Sequence, residues 1–307
     1  MEFQEKYSFA GWQNNVRLSN GKIEIVITTD VGPRVIKFAA VGGKNLFKEF
    51  EKELGKTSGT EWLSFGGHRL WHSPEVFPRT YALDFDNVSY KWDGKILKLD
   101  QKVESITGIK KDFEITLDEK ENHVKVVHKL TNKNLWAVEL AAWPLTVVTD
   151  KMRAIVPLED FEAWEDNFLP NKPIVLWHYT TMDDPRWKWG SKFIQLKQDS
   201  KTVTRQKFGT LNKKGWVAGY LDGELFLKTF GYDPDACYPD YGCNMEVYTD
   251  GDLMEIESLS PITKIEPGQT LIQTENWFYF KTQLSENEDE IAKVINPLAE
   301  KAKMLSV

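Results

Sequence analysis

From Lys22 to Phe280 the chain is a succession of short runs in which apolar and polar residues alternate. Turn signals cut these runs roughly every eight to fifteen residues. Ile23, Ile25 and Ile27 alternate with Glu24, Val26 and Thr28, and Arg34–Ala39 continues after the Gly32-Pro33 turn. Similar runs are Ile96–Leu99, Phe113–Leu117, Val124–Leu130, Val138–Ala142 and Pro144–Val148, followed by Ile174–Tyr179, Phe193–Lys197, Trp216–Leu221 and Glu224–Thr229. Leu271–Phe280 closes the series after the Pro267-Gly268 turn. Side chains alternate across a strand, so such runs bury one face each and must pack sheet on sheet. With no helices interleaved, βαβ architectures are excluded. The expectation is an all-β fold, a large antiparallel β-sandwich.

Helical spacing appears only at the end, over about residues 285–305. Ser285-Glu286-Asn287-Glu288 has the form of a capping box, and Ile291, Val294, Ile295, Leu298, Ala302 and Leu305 recur at helical intervals. Pro297 should kink or split that helix, whose apolar stripe is expected to pack on the sandwich. No repeat, linker or low-complexity tract divides the chain, so residues 1–307 are expected to form one domain.

The net charge of -7 argues against nucleic acid or an anionic membrane surface as partner. No apolar run approaches a membrane span, and the start Met-Glu-Phe-Gln-Glu-Lys lacks a secretory pattern, so a cytoplasmic protein is expected. Cys237 and Cys243 give no disulfide framework and are expected to be reduced. Most of the 12 tryptophans are expected in the core, and a surplus of them also suits a groove that stacks flat ligands such as sugar rings.

The segment Tyr238–Glu257 carries the sharpest chemical signal. Asp250-Gly251 reads as a two-residue hairpin loop, which pairs Tyr248 with Leu253, Glu246 with Glu255 and Asn244 with Glu257. Asn244, Glu246, Tyr248, Glu255 and Glu257 then share one face, and Met245, Val247, Met254 and Ile256 the other. Opposed like charges destabilise a sheet, so three carboxylates on one face need either free solvation or a polar cleft. Leu253 and Leu259 on the same face, with the aromatic Tyr238-Pro-Asp240-Tyr-Gly-Cys243 loop beside it, favour the cleft. A carboxylate partly removed from water there would have a raised pKa and could serve as general base or acid.

A second concentration lies in the irregular, glycine-rich segment Glu61–Glu75, which holds His68, Arg69, Trp71 and His72. The histidines have the i, i+4 spacing of a helical metal pair. Gly66-Gly67 before and Ser73-Pro74 after oppose a helix, and no metal site is expected. The segment reads either as a packed loop or as the polar wall of a cleft. His128 is in register with Val124, Val126 and Leu130 and reads as a core histidine. No nucleophile elbow, phosphate loop or dinucleotide fingerprint occurs, and no cofactor is expected.

Several of these stretches together resemble the galactose mutarotase-like (aldose 1-epimerase) superfamily, in a bacterial branch. The resemblance rests on Met254–Pro261, Ile265-Glu-Pro-Gly-Gln269 and Thr274–Phe280 at the end of the chain. At the start it rests on Asp30-Val-Gly-Pro-Arg34 and Gly43-Lys-Asn-Leu-Phe47, and in the middle on Leu130-Thr-Asn132. It implies a supersandwich fold, a small-molecule carbohydrate partner, and Glu257 as the base that takes the anomeric proton. The family's acid, a histidine shortly after the Thr-Asn turn, is replaced here by Ala141-Ala142-Trp143-Pro144. Catalysis would therefore need an acid elsewhere, with His68, His72 or His178 as candidates. Trp71 and Trp143 would stack the sugar, Arg69, Asp240 and Asn244 would position it, and Glu246 and Glu255 would tune the base. The alternatives are a binding protein that lost the chemistry, or a glycosidase or lyase using the glutamate pair.

Overall fold

A computed structural model describes residues 1–306. Two antiparallel sheets carry almost all of the regular structure. The first has 11 strands. Its centre runs from Arg34–Ala40 through Gly67–Ser73, Val138–Val148 and Met254–Ser258 to Met245–Thr249 and Gln206–Thr210. The second has 10 strands, centred on Trp216–Leu221, Glu224–Phe230, Thr270–Lys281 and His123–Asn132. The inward rows of both sheets meet in one apolar layer that includes Phe38, Phe47, Phe113, Phe208, Phe226 and Trp277. This is the expected β-sandwich, and alternation within the strands is what builds it.

The helix Glu288–Leu305 lies on the outer face of the second sheet, seating Ile291, Ile295, Ala299 and Ala302 against Ile155, Phe193 and Trp216. Its cap is Asn287, whose side chain accepts from the Asp289 and Glu290 backbone N–H groups; the capping box expected from Ser285 does not form. Glu288 instead reaches out to Ser191 and Lys192. The helix runs through Pro297 without interruption. Only one N–H is lost there, and packing of the buried face outweighs it.

Three local expectations change. Gly67–Ser73 is not an irregular loop but a central strand, paired residue for residue with Val147 back to Ala141. The glycines that suggested a loop are what admit the strand: a Cβ on Gly67, at φ +66, would lie 2.4 Å from the Val35 carbonyl oxygen. Val138–Val148 is one strand, with Pro144 inside it. The hairpin loop is Asp250–Leu253 rather than Asp250-Gly251, because the Asp250 carboxylate accepts from the Asp252 and Leu253 N–H groups and closes a wider turn. The register slips by two residues: Tyr248 pairs with Glu255 and Glu246 with Glu257. An even slip keeps every side chain on its face.

Candidate functional site

Five neighbouring strands of the first sheet direct a polar and aromatic row away from the second sheet. Gly67–Ser73 contributes Arg69 and Trp71, and Val138–Val148 contributes Trp143 opposite Trp71. Met254–Ser258 contributes Glu255 and Glu257, Met245–Thr249 contributes Glu246 and Tyr248, and Gln206–Thr210 contributes Lys207 opposite Tyr248. The segment Trp177–Tyr179, held by bonds from Thr180 to the Lys207 backbone, folds over the end of this row. The result is a cleft of about 510 Å³ with Trp62, Trp71, Tyr81, Trp143, Trp177 and Tyr179 on its walls. Arg69, Arg205, Lys207, His178, Glu75 and Glu255 supply its charged or titratable lining.

At the cleft floor Lys207 joins two fully buried carboxylates in a triad. Lys207 Nζ is 2.7 Å from Glu246 Oε2 and 3.2 Å from Glu257 Oε2. Trp143 Nε1 donates to Glu257 Oε2 at 2.6 Å. The Lys207 ammonium also sits over the Trp143 and Trp177 rings, 4.8 and 4.6 Å from their centroids. Burial pushes the Glu257 carboxyl above the usual range against the pull of Lys207, and pushes Glu246 well above it. Burial alone would lower the Lys207 ammonium, but Glu246 and Glu257 outweigh it and hold the group well above its ordinary value. One cation faces two opposed carboxylates, so ionising both leaves a buried negative charge without a matching cation.

Above the triad, Arg69 Nη2 donates to Glu255 Oε1 at 2.7 Å, and the guanidinium stacks 4.5 Å from Trp71 and 5.2 Å from Trp62. Its Nε and Nη1 are buried without a partner, as is Glu257 Oε1. These are unsatisfied hydrogen-bonding atoms beside an aromatic wall, covered by their neighbours as the structure stands.

Among the residues singled out from the sequence, the structure brings together Arg69, Trp71, Trp143, Glu246, Glu255 and Glu257. His68 and His72 are not among them, and this corrects the expectation that either faces Glu257. In a strand that presents Arg69 and Trp71 to the cleft, positions 68 and 72 must point the other way. His68 is fully buried between the sheets, its Nδ1 2.8 Å from Thr146 Oγ1 and its Nε2 2.7 Å from His128 Nε2. His72 is buried on the same inward face, 3.9 Å from Glu104. Burial keeps both histidines well below the usual imidazole range. Asn244 is also buried, exchanging bonds with the Asn212 backbone, so it fixes a loop and does not meet the cleft. Asp240 sits in the left-handed turn Pro239–Gly242, outside the cleft lining, close enough for its charge to raise Glu246. Of the three histidines considered for the acid, His178 is the one on the cleft wall.

His68, His128 and Glu275 place their ligand atoms within 4.8 Å of one another. The group is neutral as it stands: Glu275 is bound by Lys228 at 2.9 Å, and the two imidazoles satisfy each other. A divalent ion there would add uncompensated charge beside a buried ammonium, so these residues do not fit a metal centre.

Lys207 was the residue that sequence reasoning missed. Its signal was present: Phe208 points into the core of Gln206–Thr210, which turns Lys207 to the other face. What the sequence lacked was the pairing of that strand with Met245–Thr249.

A family model described as a domain of unknown function (DUF4380) matches residues 74–280. No curated protein matches the sequence. Among solved structures, a galactose mutarotase-like protein from Lactobacillus casei covers 87% of this chain and 100% of its own, at 9% identity and a TM-score of 0.54. One from Clostridium acetobutylicum covers 92% of this chain and 99% of its own, at 10% identity and a TM-score of 0.53. A TPR-domain containing protein from Parabacteroides distasonis reaches a TM-score of 0.59 at 13% identity, covering 88% of this chain and 48% of its own. The chain thus spans about half the length of that protein. These likenesses establish a galactose mutarotase-like fold.

Proposed function

The chain belongs to the DUF4380 family, and we propose that it binds a sugar or sugar derivative in the cleft of the first sheet. The observation that carries this reading is the convergence of an aromatic wall with the Arg69–Glu255 pair on one open face. A sugar ring presents apolar C–H faces and a rim of hydroxyls. Trp62, Trp71 and Trp177 offer surfaces for the faces, while Arg69 donates to, and Glu255 accepts from, the rim.

Anomer interconversion is the second reading, favoured by the Glu246–Glu257 pair and its raised carboxyls. A carboxylate takes the anomeric proton while an acid protonates the ring oxygen, the ring opens, and closure on either face returns both anomers. Glu257 is the base in this reading and His178 the acid. Glu257 is wholly covered by Trp143 and Lys207, so Lys207 must shift before the carboxylate touches a substrate. Binding therefore stands first.

The test is titration of the protein with a panel of neutral and acidic monosaccharides, followed by tryptophan fluorescence and saturation-transfer NMR. At least one should bind with a Kd of about 1 mM or tighter, and Trp177→Ala should weaken it. Absence of binding across the panel would sink the reading. Polarimetry on the bound sugar separates the two readings: acceleration that Glu257→Gln abolishes makes the protein an epimerase, and none leaves a binding protein.

A further inference from the structure

A second feature lies away from the cleft, on the outer face of the second sheet beside the start of the C-terminal helix. A groove of about 690 Å³ runs there, bounded by Trp187–Trp189, Phe193–Lys197 and Arg153–Pro157. Six cations line it, Lys151, Arg153, Arg186, Lys188, Lys197 and Lys201, against two carboxylates, Asp199 and Glu286. On a chain with a net charge of -7 this clustering opposes the average field and repels itself unless an anion relieves it.

Part of that charge is already spent. Arg186 binds Asp184 and the Thr202 and Thr204 carbonyls. Asp199 closes its own turn by accepting from Lys201 N and Thr202 Oγ1. Lys151, Lys197 and Lys201, in contrast, make no ion pair among the described residues. Arg153 and Lys197 are direct partners across the sheet, as are Lys188 and Gln195, so the cations stand in adjacent rows on one face.

Two observations mark where a ligand would sit. Gln195 lines the groove at 2% exposure, and neither its amide nitrogen nor its oxygen has a partner. A buried, unpartnered amide needs something polar to meet it. Glu286 is the second. Its side chain is 81% exposed, yet one oxygen lies 3.3 Å from Arg153 and the other 3.8 Å from Lys188. An exposed carboxylate spanning two cations imitates an external oxyanion and is readily displaced by one.

We propose that this groove binds a small, multiply charged oxyanion bearing phosphoryl or sulfuryl groups. Arg153, Lys188 and Lys197 hold the charge, the Gln195 amide donates from the floor, and the incoming anion displaces Glu286. The site is independent of the sugar cleft and of its reading.

Calorimetric titration of the full chain with inorganic pyrophosphate, and separately with sulfate, at constant ionic strength tests it. Saturable binding with a Kd below about 1 mM is expected for at least one of them, and the tighter identifies the group. Lys197→Glu should weaken binding about tenfold or more, since it reverses a contacting charge. Glu286→Gln should tighten it about threefold, since it removes the internal competitor. Both positions are exposed, and thermal melts verify that the variants fold. No saturable heat with either anion up to about 10 mM, or an affinity that neither variant changes, overturns the proposal.

Discussion

Replacing Lys207 by methionine isolates the charge of the buried triad, because methionine keeps an unbranched stem of similar volume between Trp143 and Trp177. What disappears is the ammonium 2.7 Å from Glu246 and 3.2 Å from Glu257. Removing one partner of a buried ion pair costs about 3–5 kcal/mol. At about 2.1 cal/mol/K of unfolding entropy per residue, a cooperative transition of all 307 residues changes by about 0.65 kcal/mol per degree. The expected loss in Tm is therefore about 5–8 °C. The pH dependence has a definite sign. Burial already raises both carboxyls above their unfolded value of about 4.3, and losing Lys207 raises them further. The folded variant then holds protons that the unfolded chain releases, so its stability falls as pH rises through that window. In the parent protein Lys207 is itself raised, so its contribution persists at neutral pH and is lost only above about 10.4. The Tm gap between parent and variant should widen from pH 5 to pH 8 in differential scanning calorimetry. Adding Glu246→Gln to the variant should recover part of the loss. A gap below about 2 °C at pH 8, or one equal at both pH values, would refute the reasoning.

Other outcomes follow from the same geometry. His128 is held at about 4, chiefly by burial, so the stability of its neutral form is present above about 6.5 and lost as pH falls toward 4. His128→Asn should flatten the decline of stability between those limits by up to about 3 kcal/mol; an unchanged slope in a pH series of melts would contradict this. Asp250→Ala removes the acceptor that closes the hairpin loop and should cost about 1–2 kcal/mol in chemical denaturation. Asp250→Asn, which keeps an acceptor, should lose much less. Glu255→Gln should weaken sugar binding while moving Tm little, whereas Glu246→Gln should do the reverse. Parallel titrations and melts decide, and loss of stability in the first variant would reject the division.

The sandwich is legible because alternation along strands such as Leu97–Asp100 and Ile109–Leu117, and apolar runs bounded by turns elsewhere, mark strands without helices between them. Gly67–Ser73 was hidden because it is buried on both faces and carries histidines and arginine where an ordinary buried strand carries valine and isoleucine. Each of those polar groups is there for a partner on another strand: Thr146 and His128 for His68, Glu255 for Arg69. Such partners are set by sheet order, which one-dimensional pattern does not carry. The glutamate row was read on the correct face despite the wrong loop length, since a slip of two residues preserves facing.

That slip nonetheless changes the chemistry. In the two-residue loop, Glu246 would oppose Glu255 at the cleft surface and Glu257 would oppose Asn244. The wider Asp250 turn instead brings Glu246 against Glu257, under Trp143, where two bare carboxylates could not both remain ionised. Lys207 is the answer to that arrangement, reaching them from the next strand. Once the cation is committed below, Glu255 becomes the carboxylate left at the cleft, and Arg69 becomes its partner. The row therefore divides by depth: a buried layer in which Lys207 pairs with Glu246 and Glu257, and an upper layer in which Arg69 pairs with Glu255 at the cleft. Any acid–base chemistry at this site must connect the two layers, and Lys207, in contact with both the carboxylate pair and the aromatic wall, is the side chain that would have to move to let it happen.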